Sequence, residues 1–204
     1  MIIRKYKYII IISTILLLAV TGWWLNNKQL NKNMAYKKKV LMVIAPLDFR
    51  DSEYFTPKKI FEEAGIEVKT ASIQSGVARG ADGGEAKIDL TISDADPTQF
   101  DAIAFIGGPG MAKIVGDESL QILAKKFFQA DKLTTAICVA PAILARAGVL
   151  RGLEATSFPE VRPDLEAGGA TYIDQSVIES GKIITANGPA AASDYADAIL
   201  RNLK

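Results

Sequence analysis

The sequence predicts an α/β domain built on a parallel sheet covered by helices on both faces, preceded by an N-terminal transmembrane helix. Three observations carry this. Short apolar, β-branched runs alternate with amphipathic stretches of ten or more residues from about residue 40 to the end. An 18-residue run without a charge, residues 8–25 (YIIIISTILLLAVTGWWL), precedes them. Composition then narrows the chemistry: the 204 residues hold one cysteine, Cys138, and no histidine.

The elements follow in chain order. Residues 1–7 form a basic tail. Residues 8–25 as a helix span about 27 Å, with Trp23 and Trp24 where an interfacial aromatic belt would lie. A buried core helix and a cleaved signal peptide are the rival readings. Val20-Thr21-Gly22 is a poor cleavage site and no lipobox cysteine is present, which favours an uncleaved single-pass anchor. The basic tail favours an extracytoplasmic domain, while Lys28, Lys32 and residues 37–39 pull the other way. Residues 26–37 are a polar linker, and Met34 offers an internal start.

The domain is expected over residues 38–204. Residues 40–45 (VLMVIA) read as a strand buried on both faces. Asp51 or Ser52 can cap a helix that runs to Ala64 and stops at Gly65. A second strand covers 66–73, and the Gly-rich 74–87 is a loop or small hairpin. Further strands fall at 102–107, 133–137 and 182–186, with helices at 119–130, from Pro141 to about Gly148, and at 190–203. Residues 151–174 are the least regular part.

The chemistry is bounded first by exclusions. There are 24 Lys+Arg against 23 Asp+Glu, and beyond residue 34 the balance is 19 against 23, with no basic stripe. This argues against nucleic-acid binding. One cysteine excludes a disulfide framework. The lack of histidine removes Ser-His-Asp and Cys-His dyads and histidine-ligated metals. No metal and no cofactor is expected.

In parallel sheets ligands bind beyond the carboxyl ends of the strands. Three loops leave strands in that direction: LDFRDSE (47–53), GGPGM (107–111) and Cys138-Val139-Ala140. Cys138 sits where a strand turns into a helix, beside the helix's positive end, which favours a nucleophile; the alternative is a small buried hydrophobe. Glu53, read alone, is a solvated acid in a helix's first turn, stabilised by the helix dipole. Gly107, Gly108 and Gly110 either open backbone N–H groups to a ligand or form a tight turn.

Taken together and in this order, the loops resemble those of the ThiJ/PfpI superfamily, the Parkinson-protein deglycase group with a class I glutamine amidotransferase-like fold. The matching pieces are DSEYFTPKKIFEEAGIEV, DAIAFIGGPG, TTAICVAPAILARAGVLRG and IITANGPAAASDYADAIL, spread over residues 38–204. The resemblance implies a flavodoxin-like sandwich, a homodimer, Cys138 as the elbow cysteine and Glu53 leaning over its sulfur. It implies oxyanion donors at the Gly108 and Val139 backbone, with Gly107, Lys87 and Phe158 facing the pocket. A protonated Glu53 that donates to a Cys138 thiolate would lower the cysteine's pKa and raise its own.

Val139 stands where peptidase-type members have histidine, and Phe158 where deglycases have theirs after a Thr-Ser pair. Glutaminase activity is therefore excluded and peptidase activity is disfavoured. Three functions remain open. One is a deglycase or hydrolase acting on a small electrophilic carbonyl or a carbonyl-modified protein. The second is a cysteine redox sensor, and the third a non-catalytic relative.

Overall fold

The computed structural model describes residues 21–23 and 37–203. Its α/β unit is Lys38–Lys204. The sheet of that unit has seven strands in the order β11-β12-β8-β7-β1-β3-β6. The central members are β1 (Lys39–Val43), β3 (Glu67–Ser72), β7 (Ala102–Phe105), β8 (Leu133–Ile137) and β12 (Ile183–Ala186), all parallel. Every residue of β7, β8 and β12 is buried, because helices cover both faces and leave no polar side to the strands. β6 (Leu90–Thr91) extends one edge, and β11 (Val177–Ser180) closes the other as an antiparallel hairpin with β12.

Chain order explains the two helical layers. From β1 the chain crosses to β3 on one side, then restarts at β7 and β8 on the other. Crossovers are right-handed, so reversing direction puts the helices on opposite faces. α1 (Asp51–Glu63) accordingly packs with α6 (Ala192–Leu203). α3 (Glu118–Gln129) packs with α4 (Pro141–Arg146), and α4 with α5 (Arg162–Ala167). The short α2 (Pro109–Ile114) follows β7. The reversal falls between β1 and β7, where diverging loops open a crevice at the carboxyl ends of the strands.

The Gly-rich excursion is a hairpin of β4 (Val77–Gly80) and β5 (Glu85–Lys87), joined by β2 (Leu47–Phe49) in a small separate sheet. β9 (Glu154–Ala155) and β10 (Thr171–Tyr172) pair within the irregular stretch. Asp51 does not cap α1. Its carboxylate accepts N–H bonds from Asp82 (2.8 Å) and Gly84 (2.6 Å), tying the hairpin tip to the helix start, and the N-cap residue is Arg50. The C-terminal end is as expected, with Ala64 the C-cap and Gly65 at φ +80°.

The membrane location expected from residues 8–25 is corrected. Among the described residues no helix is long and apolar enough to cross a membrane. Of that segment only residues 21–23 are described, and they are helical. The tail, the rest of the run, the linker to residue 36 and Met34 lie outside the described residues.

Candidate functional site

Glu53, Gly107 and Cys138 come from three segments and meet at the crevice. Glu53 falls in the first turn of α1, on the same stripe as Pro57 and Phe61 at four-residue spacing. That stripe faces the sheet, so an acid placed in it is carried into the core, and Glu53 is fully buried. Its Oε2 accepts the Gly107 N–H at 3.1 Å, while Oε1 is buried without a hydrogen-bond partner. A Cβ at Gly107 would lie 2.5 Å from Cys138 Cβ, 2.8 Å from Glu53 Oε2 and 3.0 Å from Cys138 Sγ. The missing side chain at 107 is what lets acid and thiol face each other.

Cys138 occupies the left-handed region, φ +65°, rare for a residue with a Cβ. The conformation is held from both sides. Cys138 N–H donates to Ala186 O at 2.9 Å, and its carbonyl accepts the Phe158 N–H at 2.8 Å. Strain at such a residue, of order 1–3 kcal/mol, persists only where neighbours over-determine it. The backbone N–H groups of Gly108 and Val139 lie near enough to the sulfur to favour its thiolate. Gly108 can serve because it is at φ +110°, and a Cβ there would press on Arg50 N and lie 2.7 Å from Asp48 O.

Burial pushes the Glu53 carboxyl up to about 7, against the thiol and Gly107 hydrogen bonds and the charge of Arg50. The thiol moves opposite to expectation. Burial first, then the charge of Glu53 and the hydrogen bond to it, push Cys138 up to about 12, against the Gly108 and Val139 donors. α4 has only six residues, too short a dipole to offset the loss of water around a sulfur that is 6 % exposed. The pair at rest near neutral pH is therefore a titrating carboxyl beside a neutral thiol.

A cavity of about 320 Å³ opens over the sulfur, walled by Arg50, Gly108, Val139, Phe158, Val161 and Pro189. Of the residues expected at the pocket, Lys87 is elsewhere. β5 runs antiparallel to β4 in the small sheet, so exposed Lys87 lines a different cavity with Tyr54 and Thr70. Arg50 is a pocket residue that the motifs did not single out. The available signal was an arginine at a strand-to-helix junction, where caps are normally Ser, Thr, Asp or Asn.

Comparison with known proteins places these features in company. The model of the DJ-1/PfpI family matches residues 38–202. Protein MJ0967 of Methanocaldococcus jannaschii is 40 % identical over 174 residues, 84 % of this chain and 82 % of that one. A Pyrococcus horikoshii protein named deglycase PH1704 is 35 % identical over 152 residues, 74 % of this chain and 91 % of its own. The crystal structure of a ThiJ/PfpI domain protein from Brachyspira murdochii superposes with a TM-score of 0.79 at 37 % identity. It covers 82 % of this chain and 99 % of that one.

Proposed function

This chain belongs to the DJ-1/PfpI family, and from that premise we propose that it is a cysteine-dependent deglycase or hydrolase. Its substrates are small reactive carbonyls or the adducts they form on proteins. The observation that carries the reading is the fully buried Glu53 facing Cys138 beneath a cavity. The deglycase name of a relative 35 % identical supports the substrate class. The homodimer implied by the resemblance is kept as part of this reading; a molar mass in solution of one chain would remove it.

The chemistry needs no histidine. A carboxylate titrating at about 7 is matched to general-base work at neutral pH. A thiol pushed up to about 12 needs such a base at the moment of attack. On a 2-oxoaldehyde, the S–C bond forms at the aldehyde carbon as the thiol proton passes to Glu53. The carbonyl electron pair moves to oxygen, which the Gly108 and Val139 N–H groups receive before it is protonated. Glu53 then moves the proton from that carbon to the neighbouring carbonyl carbon through an enediol, while the hydroxyl proton passes to the neighbouring oxygen, leaving a 2-hydroxy thioester. Water cleaves the C–S bond, restores the thiol and releases a 2-hydroxy acid. The sum is substrate plus one water, with no external oxidant.

This order of events sets the pH dependence. Only ionised Glu53 accepts the thiol proton, so kcat/KM for methylglyoxal is expected to rise with pH through about 7. Glu53→Gln should be slower and lack that limb. A wild-type rate already at its plateau at pH 5 would mean that a preformed thiolate attacks, and this account of Glu53 would fall.

The redox-sensing reading stands second. It draws on the two amides near the sulfur, which would also hold a sulfenate oxygen. Sensor thiols are low in pKa and open to solvent, and Cys138 is neither.

A further inference from the structure

Arg50 is the cation on the wall of the Cys138 cavity, and its placement is specific. Its backbone N–H donates to Gly107 O at 3.1 Å, which fixes the residue to the loop that holds Glu53 Oε2. Its side chain is about one-third exposed, at 31 %. Nη1 faces both oxygens of the exposed Asp82 at 3.4 Å, an ion pair of the solvent-screened kind that contributes little. Nε is different: it is buried and has no hydrogen-bond partner. A buried donor left unpaired carries a standing desolvation cost. Nε itself has no surface open to the cavity, so a ligand oxygen meets it only as the guanidinium turns out of its exposed pairing with Asp82.

We propose that Arg50 is a specificity-determining residue that reads an anionic oxygen, a carboxylate by preference, on the carbonyl substrate. The inference rests on Cys138 being the reacting atom and adds the substrate's second functional group. A guanidinium presents donors in a planar fork that matches a carboxylate. Sites that offer a buried polar group discriminate strongly against analogues that lack its partner. Apart from Glu160 the remaining side chains of the wall are largely apolar, with Phe158, Val161 and Pro189 holding the body of the ligand. The substrate class is thus small aldehydes or 2-oxoaldehydes with an acid group close to the carbon attacked. Exposed Glu160 also lines the cavity and opposes an anion, so its removal should strengthen the preference.

The test uses two alkylating reagents with the same electrophilic carbon, anionic iodoacetate and neutral iodoacetamide, on the full chain. With one cysteine, intact mass reports one site. The ratio of the iodoacetate rate to the iodoacetamide rate should fall about tenfold or more in Arg50→Gln, the worth of one charge-assisted hydrogen bond. It should fall less in Arg50→Lys and rise in Glu160→Gln. Taking the ratio cancels any change in the thiol itself. An unchanged ratio in Arg50→Gln overturns the proposal. If Cys138 resists both reagents until unfolding, the reacting-atom reading fails by itself. Oxalate binding, read as a thermal shift in Cys138→Ser, then decides the anion site. A shift lost in the Cys138→Ser, Arg50→Gln double variant supports it, and no shift in either overturns it.

Discussion

Cys138→Ser is expected to lose methylglyoxal turnover by about a thousandfold or more, to the level of the uncatalysed reaction with the same buffer. The size of the effect follows from what is left behind. Serine fits the site: it keeps the backbone bonds to Ala186 and Phe158, and its side chain is slightly smaller than the thiol. The fold should therefore survive, which circular dichroism and the melting temperature check. The hydroxyl, however, is a far weaker acid than a thiol and a poorer nucleophile. Nothing in a histidine-free chain compensates for that difference, because Glu53 is too weak a base to activate an alcohol. The measurement is 2-hydroxy acid formed per unit time by wild type and variant at equal concentration. Equal rates would remove Cys138 from the reaction and leave the cavity as a binding site.

Much of this arrangement was legible in the residues. The strand at 133–137 is bounded as its β-branched run suggests, and Cys138 follows it directly. The pairing of Glu53 with Cys138 comes from the family resemblance; that three loops leave the same ends of parallel strands, a property of topology, only allows it. Three things were hidden for physical reasons. The β11–β12 hairpin was missed because residues 177–180 (VIES) form too short a run to stand out from the irregular stretch before it. Lys87 was placed at the pocket across a Gly-rich segment whose register a one-dimensional reading cannot set, and the hairpin turns it to another cavity. The direction of the thiol's pKa depends on how completely water is excluded, and that is a sum over the whole site. The elbow alone pointed to activation; the burial around it reverses the sign.

That same burial makes a large prediction about stability. Glu53→Gln is expected to make the protein more stable than wild type at pH 8 and to change it little at pH 5. The folded pKa of Glu53 is about 7 against an ordinary value of 4.5. Between those values the unfolded chain has released the proton and the folded chain still holds it. Stability from this group is therefore fully present below about 4.5 and is lost as pH rises through about 7. Over that window the loss is about 3 kcal/mol, at ~1.4 kcal/mol per unit. A glutamine in place of Glu53 cannot ionise, so its contribution is flat, and its amide keeps an oxygen for the Gly107 N–H. Cys138, pushed up to about 12, stays protonated across the window and leaves the slope to the carboxyl. Urea unfolding of both proteins at pH 5 and pH 8 reads the difference directly. A gap between the two proteins that stays the same at both values would mean that Glu53 is ionised throughout, solvated by groups its burial denies it. The site would then lack a base poised at neutral pH. A gap that opens with rising pH would show that folding places a costly acid beside the sulfur, against stability, as expected where burial serves chemistry rather than packing.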